Sequence, residues 1–139
     1  MAALHALAFA GQSRGWRAGE FAAMLNDRHV LALGDARCFA LGRIVADEAE
    51  LLTLVTDPAH RRQGLARACL MKFEAAAWAR GADTAFLEVA ADNVPARRLY
   101  DAAGYLDAGR REAYYARPAG DAVDALLLRK LLRTGLAPV

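Results

Sequence analysis

The stretch from Glu50 to Arg67 restricts the fold of this 139-residue chain more than any other. Its first part, Glu50–Thr56, is rich in apolar and β-branched residues and predicts a strand that ends at Asp57-Pro58. A short basic loop follows, and from Gly64 onward apolar residues recur at helical spacing. Strands that lead through tight loops into helices are typical of α/β and α+β domains, so we predict a domain of this class.

The other predicted elements belong to the same domain as this strand–loop–helix segment, and the two halves of the domain differ in secondary structure. The first half is predicted to be two helices followed by an antiparallel meander, and the second half alternates helices with strands. The predicted helices are residues 3–10, 16–25, 64–80 and 95–103, and the predicted strands are residues 30–33, 37–46, 50–56, 84–91, 105–111 and 122–129. A chain of this length builds one hydrophobic core. We divide the domain into 1–50, with the first helices and strands, 51–132 as its core and 133–139 as a tail.

The composition is typical of a soluble globular protein, with 56% hydrophobic residues, 24% charged residues and a formal net charge of +2. This charge is too small to indicate a nucleic-acid partner. No signal-peptide layout opens the chain, and no apolar run approaches the ~20 residues of a membrane-spanning helix. We therefore expect a cytoplasmic monomer without a membrane partner. Cys38 and Cys69 lie in apolar stretches and the histidines have no ligand spacing, which predicts reduced core cysteines and no metal site.

The start of the helix at Gly64 has the features of an anion-binding site. The first backbone N–H groups of a helix have no partner within the helix, and together with the helix dipole they attract phosphate groups. Gly64 and Ala66 would let a ligand approach the backbone, and Arg61, Arg62 and Arg67 add positive charge. The alternative is an ordinary helix start with solvated arginines, which the small residues alone do not exclude.

The same residues carry a resemblance to a known family. The pattern Arg61-x-x-Gly64-x-Ala66 resembles the acetyl-CoA motif of the GNAT (Gcn5-related) N-acetyltransferase superfamily. From Leu51 to Leu132 the chain is similar, nearly without gaps, to the RimI-type ribosomal-protein-alanine N-acetyltransferases of that superfamily. The matching stretches are Val55-Thr-Asp-Pro58, Arg62-Gln-Gly-Leu65, Leu87-Glu-Val89, Asn93, Leu99-Tyr100, Gly104-Tyr105 and Tyr114-Tyr115. The resemblance implies a mixed, mostly antiparallel sheet flanked by helices, with splayed strands that hold acetyl-CoA.

The resemblance also implies a role for most of the matching residues. Glu88 would accept the proton of the attacking amine, directly or through one water, and Tyr100 would protonate the leaving thiolate of coenzyme A. Tyr114 and Tyr115 would help to shape the acceptor groove. Backbone N–H groups of Leu54, Val55 and Thr56 would meet the acetyl carbonyl. The coenzyme would also bind Asn93 and the loop residues Arg61, Arg62, Gln63, Gly64, Leu65, Ala66 and Arg67.

Most of these residues also have a structural interpretation. Glu88 is a lone carboxylate in an apolar strand, where burial is costly unless the charge is paired or used, and a nearby arginine would satisfy it. Asn93 is a good helix N-cap, and a buried Tyr100 could be a core residue with a bonded hydroxyl. Tyr114 and Tyr115 could end a strand. Cys69, which an acetyl-cysteine route would require, lies on the buried stripe of its helix and is interpreted as packing.

The predicted function is the transfer of an acetyl group from acetyl-CoA to the N-terminal α-amine of a protein. The expected acceptor is the N-terminal alanine of a small-subunit ribosomal protein, which attacks directly in a ternary complex. Two alternatives remain: a GNAT enzyme that acetylates a small-molecule amine, and a CoA-binding module without catalysis. The presence of both Glu88 and Tyr100 argues against the second alternative.

Overall fold

The computed structural model describes residues 26–60, 64–118 and 120–132. Within these ranges the strands are β1 Val30–Gly34, β2 Cys38–Val45, β3 Glu48–Thr56, β4 Thr84–Ala90, β5 Leu106–Tyr115 and β6 Val123–Leu131, and the α-helices are α1 Leu65–Ala79 and α2 Val94–Ala102. From residue 30 onward the predicted elements are confirmed in kind and order. β5 runs beyond its predicted end at Arg111. The helices predicted within residues 1–25 and the tail 133–139 lie outside the described residues.

The strands form one sheet in the order β1-β2-β3-β4-β6-β5. Neighbouring strands are antiparallel except for β3 and β4, which are parallel. The predicted mixed, mostly antiparallel sheet is therefore confirmed. A parallel pair needs a long crossover connection, and α1 provides it between β3 and β4.

The parallel pair β3–β4 is joined at one end only. Pairing runs from Glu48 opposite Thr84 to Leu51 opposite Leu87 and stops there, although both strands continue. On its other side β3 stays paired with β2 to its end, except at Leu52, which has no partner residue on β2. A bulge of this kind bends its strand and increases the local twist. The bulge coincides with the point where β3 leaves β4, and beyond it the two strands enclose a gap.

The helix α1 packs against the β1–β2–β3 part of the sheet. Phe73 is fully buried there, and a Cβ added at Gly42 would lie 2.2 Å from its ring. Only glycine at position 42 allows this approach, because real Cβ atoms do not come within 3.0 Å of a neighbour. Gly64 precedes the helix in the left-handed region, at φ 73°.

The helix α2 begins as the sequence predicts. The Asn93 side chain accepts a hydrogen bond from the N–H of Ala96 at 3.3 Å, and Pro95 lies in the first turn. Both features favour a helix start, since an N-cap oxygen satisfies a free N–H and proline has none to satisfy. Neither described helix is long and apolar enough to cross a membrane.

Candidate active site

The two faces of β4 are differently covered. Ala85, Leu87 and Val89 are buried and belong to the same core cluster as residues of α1 and α2. Phe86 and Glu88 alternate with them and therefore point to the opposite face, where they are partly exposed. This confirms the alternation predicted for the strand. The helices thus cover one face of the sheet, and Glu88 lies on the other face, in the part of β4 that has left β3.

The start of α1 is open to a ligand. Gly64 is exposed, and a Cβ added to it would meet nothing within 4 Å. Leu65 and Ala66 are half-buried, while Arg67 is exposed. The first turn of α1 is therefore exposed at Gly64 and Arg67 among the described residues, and its first N–H groups have no partner within the helix. The neighbouring Arg61, Arg62 and Gln63 lie outside the described residues.

The end of β3 supplies backbone groups to the gap. Leu54, Val55 and Thr56 are paired with β2 on one side and lie beyond the last pairing with β4 on the other. The Val55 side chain is buried, and strand side chains point to the faces of the sheet, so the backbone edge of β3 borders the gap. The Thr56 hydroxyl shares a hydrogen bond with the Cys38 thiol at 3.3 Å. This edge of β3 can offer backbone N–H groups to a carbonyl oxygen.

Glu88 is partly buried and has a charged partner. Its side chain is 24% exposed, and its Oε1 lies 3.1 Å from Nε of Arg111 on β5. The arginine that a structural interpretation of Glu88 requires is therefore present. No described residue donates a hydrogen bond to the second oxygen, Oε2, which leaves part of the carboxylate available.

Tyr100 is buried on the helix-covered face. Its ring lies edge-on to that of Tyr105, with 5.7 Å between the ring centroids. Burial raises the pKa of the Tyr100 phenol above its usual value, so the group stays protonated at neutral pH. Among the described residues none forms a hydrogen bond with its hydroxyl. This differs from the bonded hydroxyl that a purely structural tyrosine would have.

The Tyr105 hydroxyl, by contrast, is bound. It donates to Oε2 of Glu74 at 2.8 Å, and Nζ of Lys130 lies 2.8 Å from Oε1 of the same carboxylate. Glu74 is 2% exposed, so this network lies within the core between α1 and β6. Its three polar groups satisfy one another, and the sequence alone did not indicate it.

The end of β5 forms an aromatic cluster near Glu88. The Tyr114 and Tyr115 rings lie 5.2 Å apart in an edge-to-face arrangement, and the guanidinium of Arg111 lies 5.3 Å from the centre of the Tyr114 ring. Burial raises the pKa of Tyr115, and the negative charge of Glu88 raises it further. Arg111 contacts both Glu88 and the Tyr114 ring, which brings the aromatic cluster close to Glu88. The predicted acceptor-side tyrosines and the predicted proton acceptor therefore share one region.

The two cysteines lie side by side beneath the end of β3. Both are 5% exposed, and the Cys69 thiol donates to the carbonyl of Leu33 at 3.6 Å. Interaction with the Cys69 thiol lowers the pKa of Cys38, and the same interaction together with burial raises the pKa of Cys69. Cys69 belongs to the buried core cluster, which agrees with its interpretation as a packing residue.

A surface cavity of about 400 Å³ lies elsewhere, between α2 and the β5–β6 pair. Arg97, Arg98 and Asp101 of α2 line it together with Leu126 and Leu128 of β6. None of the residues predicted for catalysis or coenzyme binding contributes to it. The catalytic prediction depends on the gap between β3 and β4 rather than on this surface cavity.

Sequence reasoning missed Arg111 as the partner of Glu88. The two residues are far apart along the chain and two strands apart in the sheet, so no local spacing connects them. The available signal was the Arg-x-x-Tyr-Tyr pattern, which in this sequence is Arg111 to Tyr115.

Comparisons with known proteins identify the family of the chain. The family model described as acetyltransferase (GNAT) family matches residues 5–105. The [ribosomal protein bS18]-alanine N-acetyltransferase of Escherichia coli K12 is 35% identical over 109 residues, which are 76% of this chain and 74% of that protein. The corresponding enzyme of Haemophilus ducreyi is 37% identical over 90 residues, 65% of this chain and 62% of that protein.

The same similarity holds for the fold. The crystal structure of the ribosomal-protein-S18-alanine N-acetyltransferase from Escherichia coli superposes with a TM-score of 0.81 at 31% identity, covering 94% of this chain and 86% of that chain. Ard1 from Thermoplasma volcanium, at 19% identity, superposes with a TM-score of 0.78 and shares the fold. The family model and the relatives together show that the chain belongs to the GNAT family of acetyltransferases.

Proposed function

We propose that this acetyltransferase transfers the acetyl group of acetyl-CoA to the N-terminal α-amine of a protein. The proposed acceptor is the N-terminal alanine of a small-subunit ribosomal protein, which attacks the thioester directly in a ternary complex. Relatives with 35–37% identity carry this activity in their names.

The observation that carries the proposal is that Glu88 lies where β4 has separated from β3, on the sheet face opposite to the one on which Tyr100 packs. Beyond Leu51 and Leu87 nothing in the sheet ladder joins β3 to β4. Glu88 lies on one face at this opening and Tyr100 packs on the face covered by the helices. A thioester held in the gap can thus meet an amine on the Glu88 face while its sulfur leaves on the Tyr100 face.

Diphosphate binding at the start of α1 would place the thioester there. The exposed turn at Gly64 offers free N–H groups, and Arg67 is close by. Arg61, Arg62 and Gln63 complete the proposed loop, and Asn93 borders the opening at the end of β4. The acetyl carbonyl would then lie against the backbone of Leu54–Thr56.

The chemistry assigns each proton to a group. An α-amine has a pKa near 8 and is mostly protonated at neutral pH, so Glu88 first accepts one proton from it, directly or through a water. The nitrogen attacks the carbonyl carbon, and backbone N–H groups of β3 stabilise the oxyanion. When the C–S bond breaks, the Tyr100 phenol protonates the thiolate. The second proton of the nitrogen restores the phenol, and Glu88 releases its proton to solvent.

We also propose that the enzyme acts in the cytoplasm as a monomer. Ribosomal proteins that carry such an N-terminus are made there, and every group assigned a role above belongs to this one chain.

The test is incubation of the enzyme and acetyl-CoA with ribosomal proteins, followed by mass spectrometry of their N-termini. We expect a 42 Da gain on an alanine-first small-subunit protein, and the Glu88→Gln variant should lower its rate by about 100-fold or more. A panel of free amines runs in parallel. Turnover of small amines alone would overturn the proposed acceptor, and binding of acetyl-CoA without turnover would leave a binding module.

A further inference from the structure

Arg111 contacts the proposed proton acceptor but has no part in the chemistry above. Its Nε lies 3.1 Å from Glu88 Oε1, and its guanidinium also stacks on the Tyr114 ring. We propose that Arg111 is a positioning residue that fixes the Glu88 carboxylate beside the gap and ties it to the aromatic side of the acceptor groove. This inference rests on the proposed function, because it takes Glu88 as the proton acceptor.

The register of the sheet explains how the two side chains meet across β6. Glu88 is opposite Leu127 on β6, and Arg111 of β5 is opposite Ala125. Opposite residues point to the same face, and so do residues two apart on a strand, so Glu88, Leu127, Ala125 and Arg111 share one face. Two strand spacings are about 10 Å, a distance that a long arginine can bridge. The small side chain of Ala125 leaves the diagonal path across β6 open.

Glycine at position 109 contributes to the same geometry. Gly109 is opposite Leu127, and a Cβ added to it would lie 2.9 Å from the Leu127 side chain. β5 is also irregular between Asp107 and Gly109. The space that glycine leaves here accommodates the Leu127 side chain on the face that Glu88 and Arg111 share.

The contact leaves the carboxylate usable. Arg111 engages Oε1, while no described residue donates a hydrogen bond to Oε2. A carboxylate held by one oxygen keeps its orientation and still offers the other oxygen to an ammonium group or a bridging water. Cation stacking on Tyr114 restricts the guanidinium in turn. The result is one rigid assembly of base, arginine and acceptor-side aromatic ring.

The ion pair is poorly placed to serve the stability of the fold. The side chains of Arg111 and Glu88 are 53% and 24% exposed, and exposed ion pairs contribute little to stability. A large effect of Arg111 substitution on turnover would therefore not follow from unfolding.

A double-mutant cycle separates positioning from other roles. Turnover of an alanine-first peptide is measured for the wild type, Glu88→Gln, Arg111→Gln and the double variant, with acetyl-CoA saturating. We expect Arg111→Gln to lower kcat on the order of 10-fold, since small displacements of a catalytic group are costly. Arg111→Lys should recover part of it. In the Glu88→Gln background, Arg111→Gln should change kcat by less than about twofold, because its target is gone.

Arg110→Gln is the matched control. Arg110 is the adjacent residue of the same strand, is similarly exposed and pairs with Asp124 on the opposite face. It should show no such coupling to Glu88→Gln. Unchanged kcat in Arg111→Gln, or a loss repeated in full in the Glu88→Gln background, would overturn the positioning role. Wild-type kcat in Glu88→Gln alone would instead overturn the proposed base, so the two failures are distinguishable.

Discussion

Two carboxylates, Glu74 on α1 and Glu88 on β4, have opposite environments. Glu74 is 2% exposed, and its oxygens are bound by Tyr105 and Lys130 beside the end where β3 and β4 are joined. Glu88 is 24% exposed, has one ionic partner and lies where the strands have separated. A buried charge with all its bonds made belongs to the architecture, whereas one left partly unsatisfied is available for chemistry.

The two tyrosines on the helix-covered face repeat this contrast. Tyr105 donates its hydroxyl to Glu74, while no described residue bonds the hydroxyl of Tyr100, although the two rings are in contact. Among the residues that the structure describes, Tyr105 thus joins the Glu74 network and Tyr100 does not. A single hydrogen bond therefore distinguishes the tyrosine with a structural role from the tyrosine with a proposed catalytic role.

The largest expected effect is on folding, from Glu74→Gln. The substitution removes the charge that Lys130 faces inside the core, and breaking a buried ion pair typically costs about 3–5 kcal/mol. The free energy of unfolding, measured with guanidinium chloride, should fall by about 3 kcal/mol, and turnover of the folded fraction should remain.

Glu88→Gln is the matched change at the other carboxylate. It should alter the unfolding free energy by less than about 1 kcal/mol, as is usual for an exposed ion pair, and abolish most turnover. Equal stability losses in the two variants would show that the contrast between the two carboxylates is wrong.

The second prediction concerns coenzyme affinity and uses the two glycines that bracket α1. Gly64 and Gly81 are both exposed, both have positive φ, and a Cβ at either position would meet nothing within 4 Å. Gly64→Glu and Gly81→Glu therefore carry similar backbone strain. Only the first brings a negative charge to the proposed diphosphate site, where repulsion of about 3 kcal/mol would raise the Kd on the order of 100-fold.

Calorimetric titration with acetyl-CoA measures this difference. Gly81→Glu should bind like the wild type. If both variants bound equally well, the diphosphate would have to lie away from the start of α1.

The third prediction separates the two tyrosines. Tyr105→Phe leaves Glu74 short of a donor in the core, so the unfolding free energy should fall by about 1–3 kcal/mol. Tyr100→Phe breaks no bond to a described residue and should be nearly neutral for stability, but it should lower kcat by about 100-fold without changing acetyl-CoA affinity. A reversed pattern, with Tyr100→Phe destabilising and fully active, would make Tyr100 a packing residue.

The sequence predicted the elements and the local chemistry but not their long-range partners. Alternation in residues 84–91 predicted that Glu88 points to the other face of the strand from Leu87 and Val89. Asn93 and Gly64 were predicted as helix-start residues. These predictions succeed because their signals are local. The ion pair of Glu88 with Arg111 and the Glu74 network depend on strand order and register. Those are set by the packing of the whole sheet, which single-sequence patterns do not encode.

The smallest expected effect is a loss of stability in alkali. Burial raises the pKa of Tyr100 and Tyr105 in the folded state, and the Glu74 charge raises that of Tyr105 further. The unfolded phenols titrate near pH 10, so above that pH the unfolded chain releases protons that the folded chain keeps. Stability is therefore complete below about pH 10 and falls above it, by up to about 1.4 kcal/mol per pH unit for each tyrosine.

Guanidinium unfolding at pH 9, 10 and 11 measures the slope, and Tyr100→Phe and Tyr105→Phe should each remove the share of one phenol. A slope that neither substitution reduces would mean that the two phenols ionise alike in the folded and unfolded chains. Water would then not be excluded from the two hydroxyls in the folded chain. The hydrogen bond that distinguishes Tyr105 from Tyr100 would have no measurable effect on the free energy of unfolding.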